Sequence, residues 1–150
     1  MKKIVIVLLV ISVVCSCKKS TPVDKMTVSV DSLVTKWKDS WNRHDSAAIR
    51  NLFDRNPILV ADDIVAKDLK AISENWIHPN IRAVYNLKIV QLQGWANEEK
   101  AGYLGTYSLD LIVNKAVVEQ PKGVVSISWK KTEEGVWKIT NAHLNSFHGK

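Results

Sequence analysis

The chain has 150 residues, which is enough for one domain of ordinary size. Hydrophobic residues make up 46% of it and charged residues 24%, so the composition is globular and excludes the disordered and fibrous classes. The formal net charge of +6 falls to +4 if residues 1–16 are removed, as argued below, and this weak, scattered charge does not indicate a nucleic-acid partner.

The N-terminus has the features of an export signal. Lys2 and Lys3 precede an 11-residue segment, residues 4–14, that is apolar except for Ser12. A transmembrane helix needs about 20 apolar residues, so this segment is too short to span a bilayer. We therefore interpret it as the hydrophobic region of a signal peptide.

The sequence Val14-Cys15-Ser16-Cys17 follows directly. It resembles the lipobox of bacterial lipoproteins, in which aliphatic and small residues precede the cysteine that receives lipid. Only Cys17 fits this pattern, because two bulky valines precede Cys15. The resemblance implies cleavage before Cys17 and an exported protein anchored by lipid to the bacterial cell envelope, with the outer membrane as the expected place. A plain secretory signal remains the alternative.

These features divide the chain into three parts. Residues 1–16 are the predicted lipoprotein signal peptide, residues 17–27 the lipidated cysteine and a tether, and residues 28–150 the folded domain. Residues 18–26 combine Ser, Thr, Pro and charged residues without periodicity, which is typical of a linker. Such a segment could reach about 30 Å when extended, so we expect the domain to lie close to a membrane surface.

The first half of the domain has helical periodicity. Val30, Leu33, Val34, Trp37 and Trp41 share one helical face, which predicts a first helix over residues 29–42. Asp45 can cap a second helix that runs to Phe53 and is stopped by Asn56-Pro57. Residues 58–60 form a predicted buried strand that ends at Asp62-Asp63, and a third helix follows over residues 68–77, ended by His78-Pro79.

From residue 81 onward the period changes from 3.6 to 2. Alternation predicts strands over residues 81–89, 103–113, 124–131 and 136–147, joined in the second half by turns at residues 120–123 and 132–135 that contain glycine. Helices followed by an antiparallel meander indicate an α+β domain with the helices on one face of the sheet.

Three segments in this order resemble the superfamily of nuclear transport factor 2, ketosteroid isomerase and SnoaL-like proteins. They are residues 37–53, residues 58–76 and the Gly-x-Trp-x-Ile segment with its polar tail at residues 135–143. The resemblance implies a cystatin-like cone, in which a curved antiparallel sheet wraps around N-terminal helices and leaves an open pocket. It also implies a homodimer, formed through the outer face of the sheet.

Asp62 is the candidate catalytic residue. In the ketosteroid isomerase branch a carboxylate after the first strand shuttles a proton, and Asp62 falls nearest to that position. A buried carboxylate would be able to act as a general base, whereas two consecutive Asp residues can equally form a solvated turn. Isomerase chemistry would also need an acidic donor, which Tyr85, Tyr103 or Tyr107 could supply, although tyrosines at strand spacing more often pack across strands.

The candidate ligand-binding residues are Trp41, Tyr85, Tyr107, Asn141 and His143. Strict alternation puts Asn141 and His143 on the same face of the last strand as Trp137 and Ile139, as in an apolar pocket with a polar mouth. The same residues would also suit a strand that simply emerges into water.

The sequence indicates no metal site and no cofactor. His143 and His148 do not have the spacing of common zinc ligands, and the glycines at 102 and 105 fall inside a strand rather than in a phosphate-binding loop. Three hypotheses remain: a membrane-tethered module that binds a small, partly apolar molecule or a peptide; a cofactor-free isomerase, hydrolase or dehydratase-like enzyme with Asp62 as base; and an interaction domain that uses the outer sheet face.

Lipid attachment can be tested at Cys17. The Cys17→Ser variant should lose fatty-acid labelling and move from the membrane fraction to the soluble fraction, because the acyl chains supply the membrane affinity. Unchanged labelling in metabolically labelled cells would show that Cys17 is not the lipidated residue.

Overall fold

The computed structural model describes residues 28–147. The predicted signal peptide, Cys17 and the tether lie outside the described residues, so these three assignments stay predictions. Across residues 28–147, no helix has both the length and the apolar character needed to cross a bilayer.

Two N-terminal helices form as the periodicity predicts. Helix α1 is Val30–Asn42, and helix α2 is Ser46–Leu52. The carboxylate of Asp45 accepts a hydrogen bond from the Ala48 N–H at 2.8 Å, which satisfies one of the free donors at the start of α2. Helix α2 ends at Leu52, earlier than Asn56-Pro57, because the next residue already belongs to a strand.

The third helical segment has three parts. Asp68 caps α3 (Leu69–Ile72), which continues into a π-helical turn (Ser73–Ile77) and then α4 (His78–Asn80). The chain stays helical through Pro79, beyond the predicted end, because proline is tolerated where a helical turn begins and no N–H is required.

Seven strands form one sheet. Six of them have the order β2-β1-β7-β6-β4-β3, and β5 pairs with the end of β4 on the side away from β3. Their bounds are β1 Phe53–Ala61, β2 Ile64–Ala66, β3 Val84–Ala96, β4 Lys100–Val113, β5 Ala116–Glu119, β6 Lys122–Lys131 and β7 Trp137–Ser146. All pairs are antiparallel except β1 with β7. The predicted fold class is confirmed: helices pack on a curved sheet that forms a cone.

Strands β2 and β5 were not predicted from the sequence, because each is short. Both follow tight two-residue turns. Asp62-Asp63 joins β1 to β2 with Asp62 at φ 49°, and Asn114-Lys115 joins β4 to β5 with φ 51° and 65°. Among residues other than glycine, Asn and Asp tolerate positive φ best, which explains the residue choice at Asp62 and Asn114 but not at Lys115.

Three tryptophans occupy the centre of the core. Trp37 and Trp41 from α1 are 1% and 2% exposed, and both contact Trp76 from the π-helical turn. The Trp41 and Trp76 rings meet edge to face with centroids 4.8 Å apart. Leu33 is also buried as predicted, whereas Leu52 is half-buried.

The Trp41→Ala variant should lose about 3–5 kcal/mol of unfolding free energy, because a large buried side chain and its contact with Trp76 disappear. Trp95→Ala is the matched control, since Trp95 is 51% exposed, and we expect it to cost less than half as much. Denaturant titration followed by circular dichroism measures both values. A Trp41→Ala cost below about 1 kcal/mol would show that Trp41 is not packed in the core.

Candidate functional site

A cavity of about 780 Å³ opens between the helices and one end of the sheet. Its apolar wall is made largely by Trp37, Trp41, Trp76, Leu87, Leu109 and Leu111. The volume lies within the range of about 300–1,000 Å³ that is usual for pockets holding small molecules.

Polar residues are grouped near the β1–β2 turn and the ends of β5 and β7. Asp62, Asp63, Glu119, Asn145 and Ser146 all line the cavity, and all but the half-buried Ser146 are exposed to water. None of the described residues that line the cavity is Lys, Arg or His. The mouth is therefore acidic in a chain whose overall charge is positive.

A hydrogen-bond chain connects the sheet to the turn at Asp62. The Ser146 backbone N–H donates to Asp62 Oδ1 at 2.7 Å, and the Ser146 hydroxyl donates to Asp62 Oδ2 at 2.9 Å. Since the Ser146 proton is directed to Asp62, the Ser146 oxygen can accept from the Tyr107 phenol, 2.9 Å away. The Tyr107 phenol therefore donates its proton to Ser146 and not to a ligand.

Gly123 makes this chain possible. It lies opposite Tyr107 on β4 and opposite Ser146 on β7, so Tyr107 must cross the whole of β6, a separation of roughly 10 Å between the outer strands. A Cβ atom on Gly123 would lie 2.7 Å from the Tyr107 ring and 2.1 Å from the Asn145 carbonyl oxygen. Only glycine therefore leaves room for the ring. Gly123 was predicted to lie in a turn, but it lies inside β6.

Burial raises the pKa of the Tyr107 phenol above its ordinary value. The hydrogen bond with Ser146 lowers this pKa and the Asp62 carboxylate raises it, but burial is the largest cause. The phenol is therefore protonated at neutral pH and can donate the hydrogen bond to Ser146.

The indole N–H groups of Trp37 and Trp41 have no hydrogen-bond acceptor among the described residues. Their nitrogen atoms have almost no accessible surface, so they lie behind the cavity wall rather than on it. A buried donor without a partner costs about 1–3 kcal/mol, which means that shape, and not hydrogen bonding, determines how these two rings pack.

The structure brings together some of the residues named from the sequence and separates others. Asp62, Trp41 and Tyr107 line the cavity. Tyr85 does not line it; its ring packs against His44, with centroids 4.4 Å apart. Asn141 and His143 also do not line the cavity, and both are exposed.

A β-bulge explains the position of Asn141 and His143. Trp129 pairs with Ile139 but Ser128 pairs with Asn141, so Thr140 is an extra residue in β7. One extra residue reverses the alternation, and Ala142 and Leu144 point inward in place of their neighbours. The prediction that Asn141 and His143 share a face with Ile139 is therefore wrong. Both lie on the outer face of the sheet.

Ser146 and Glu119 are among the cavity residues to which the sequence assigned no role. Ser146 received no role because the predicted strand ran past it without a change of pattern. Glu119 was missed because β5 was not predicted. For Glu119 the signal was present: Asn114-Lys115 between two valine-containing segments is compatible with a two-residue hairpin.

The surroundings of Asp62 differ from those expected of a general base. The carboxylate is exposed rather than enclosed by apolar walls, and both of its oxygens accept hydrogen bonds from Ser146. Its backbone occupies the hairpin turn, as in the alternative interpretation of Asp62-Asp63 as a turn. Within residues 28–147, His, Cys, Asp and Glu form no group of three or more that could hold a metal ion.

The Asp62→Asn variant should lower the unfolding free energy by about 1 kcal/mol, because an amide oxygen can replace only one of the two exposed acceptor positions. Asparagine tolerates positive φ, so the backbone contributes little to this change. Asp63→Asn is the matched control and should change the free energy by less than about 0.5 kcal/mol. Equal effects of the two substitutions in urea titrations would mean that Ser146 does not stabilise the turn through Asp62.

Comparison with known proteins supports the fold through structure rather than sequence. Neither a protein-family model nor a curated protein matches this sequence. Among solved structures, the chain is similar to a ketosteroid isomerase-like protein from Erwinia carotovora atroseptica, with a TM-score of 0.68 and 10% identity over 80% of this chain and 95% of that one.

Two further structures are similar at the same level. A nuclear transport factor 2-like superfamily protein from Salmonella enterica has a TM-score of 0.64 and 12% identity, over 79% of this chain and 89% of that one. A protein with a cystatin-like fold from Novosphingobium aromaticivorans has a TM-score of 0.61 and 11% identity, over 79% and 80%. The chain therefore has the cystatin-like α+β fold of the nuclear transport factor 2 and ketosteroid isomerase-like proteins.

Proposed function

We propose that this protein is a binding module of the bacterial cell envelope, tethered by lipid at Cys17, that holds a small and partly apolar molecule in its cone. The observation that carries the proposal is the cavity of about 780 Å³ with a wall of tryptophan and leucine side chains. Binding of an apolar ligand to this wall removes apolar surface from water, which stabilises the complex by about 25 cal/mol per Å² buried.

The position of the cavity fits this role. Its apolar wall lies on α1, the π-helical turn, β3 and β4, which are held by the tryptophan contacts and by the sheet. Its polar edge is fixed by the hydrogen bonds between Tyr107, Ser146 and Asp62. A ligand would therefore enter a site that is largely formed in advance, which reduces the entropy cost of binding.

The alternative is a cofactor-free isomerase, hydrolase or dehydratase-like enzyme with Asp62 as general base. It has less support, because both Asp62 oxygens already accept hydrogen bonds and His143 lies on the opposite face of the sheet from the cavity. The similar ketosteroid isomerase-like structure shares the fold with this chain at only 10% identity, and so does not favour the enzyme.

The proposal can be tested with N-phenyl-1-naphthylamine, an uncharged apolar probe that fluoresces when it leaves water. We expect saturable binding to residues 17–150, and at least about tenfold weaker binding to Leu109→Glu, because a carboxylate in the cavity wall must be desolvated when the probe enters.

Leu104→Glu is the matched control, since Leu104 is 41% exposed and lies outside the cavity lining. It should bind the probe like the unmodified protein. Circular dichroism spectra of both variants establish that they are folded. If folded Leu109→Glu bound the probe with unchanged affinity, the cavity would not be the binding site.

A further inference from the structure

We propose that the cavity selects organic cations, and specifically molecules with an apolar body and an ammonium group. This inference rests on the proposed binding function and adds the chemical class of the ligand. Two separate properties of the described lining residues support it, namely their charge and their hydrogen-bonding polarity.

The charge of the mouth is one-sided. Asp62, Asp63 and Glu119 line the cavity, and no described lining residue is basic. Ser146 donates two hydrogen bonds to the Asp62 carboxylate, but the carboxylates of Asp63 and Glu119 form no hydrogen bond or ion pair with any of the described residues. These two carboxylates are therefore free to attract a cation, and their field is stronger beside apolar walls than in open water.

The polar groups of the lining act mainly as acceptors. The carboxylates can only accept, the Ser146 proton is directed to Asp62, and the Tyr107 proton is directed to Ser146. The Asn80 side-chain amide donates one N–H to the Trp76 carbonyl at 2.8 Å, which leaves its oxygen free to accept and its second N–H free to donate. A ligand that carries N–H donors complements these groups, whereas a carboxylate or a phosphate would meet acceptors and negative charge.

The aromatic wall is compatible with the same ligand class. Trp37, Trp41 and Trp76 line the cavity, and the faces of indole rings attract cations more strongly than those of other aromatic side chains. The wall therefore offers an apolar surface to the body of the ligand without repelling its charged end.

Three probes that share one apolar body separate charge from burial: 2-naphthylmethylammonium, 2-naphthalenemethanol and 2-naphthoate, each measured by calorimetry against residues 17–150. We expect the ammonium to bind about fivefold or more tightly than the alcohol, and the carboxylate to bind most weakly. Raising sodium chloride from 20 mM to 500 mM should reduce the difference between ammonium and alcohol, since exposed charges are screened at that ionic strength.

The double variant Asp63→Asn with Glu119→Gln should bring the ratio of ammonium to alcohol affinity close to 1. Glu133→Gln is the control: it removes one exposed carboxylate in the β6–β7 turn, outside the cavity lining, and should keep the preference. If the alcohol binds and the ammonium binds no better, the cation preference is wrong and the binding function stands. If none of the three probes binds, the binding function itself is overturned.

Discussion

The packing of three tryptophans is the constraint on which the cavity depends. Trp37 and Trp41 are separated by one turn of α1, and the Trp37 and Trp76 rings lie nearly parallel with centroids 6.5 Å apart. The wider π-helical turn lets two consecutive residues, Trp76 and Ile77, both be buried. Because these large rings already contact each other and cannot deform, the helices cannot collapse onto the end of the sheet, and space remains there.

A second constraint fixes the edge of this space. The row from Tyr107 past Gly123 to Ser146 and Asp62 crosses four strands, β4, β6, β7 and the end of β1. Each hydrogen bond contributes only about 1 kcal/mol, but the row ties the β1–β2 turn to the middle of the sheet. The mouth is thus shaped by hydrogen bonds in which the tryptophan cluster takes no part. This division explains why Asp62 can be important for the site without taking part in chemistry.

The sequence predicts the helices and long strands because their apolar residues recur with a clear period. It does not predict which residues of a strand face the cavity, because each bulge reverses the alternation. In β7 the reversal is visible in retrospect: Trp137 and Ile139 are the apolar residues before Thr140, and Ala142 and Leu144 are those after it. The hydrogen bonds of Ser146 could not be predicted, since they join strands that are distant in the chain.

The sheet also separates the charges of the domain. The outer face carries three lysines that pair across β4, β6 and β7, namely Lys100, Lys130 and Lys138. The acidic residues of the cavity mouth lie on the inner side of the sheet, at its opposite end. The carboxylates of Asp63 and Glu119 gain no hydrogen bond or ion pair among the described residues in return for placing negative charge beside Asp62. Unpaired like charges lower stability unless something offsets them. A cationic ligand at the mouth would supply that offset when it binds, so the same carboxylates that weaken the empty site would strengthen the occupied one.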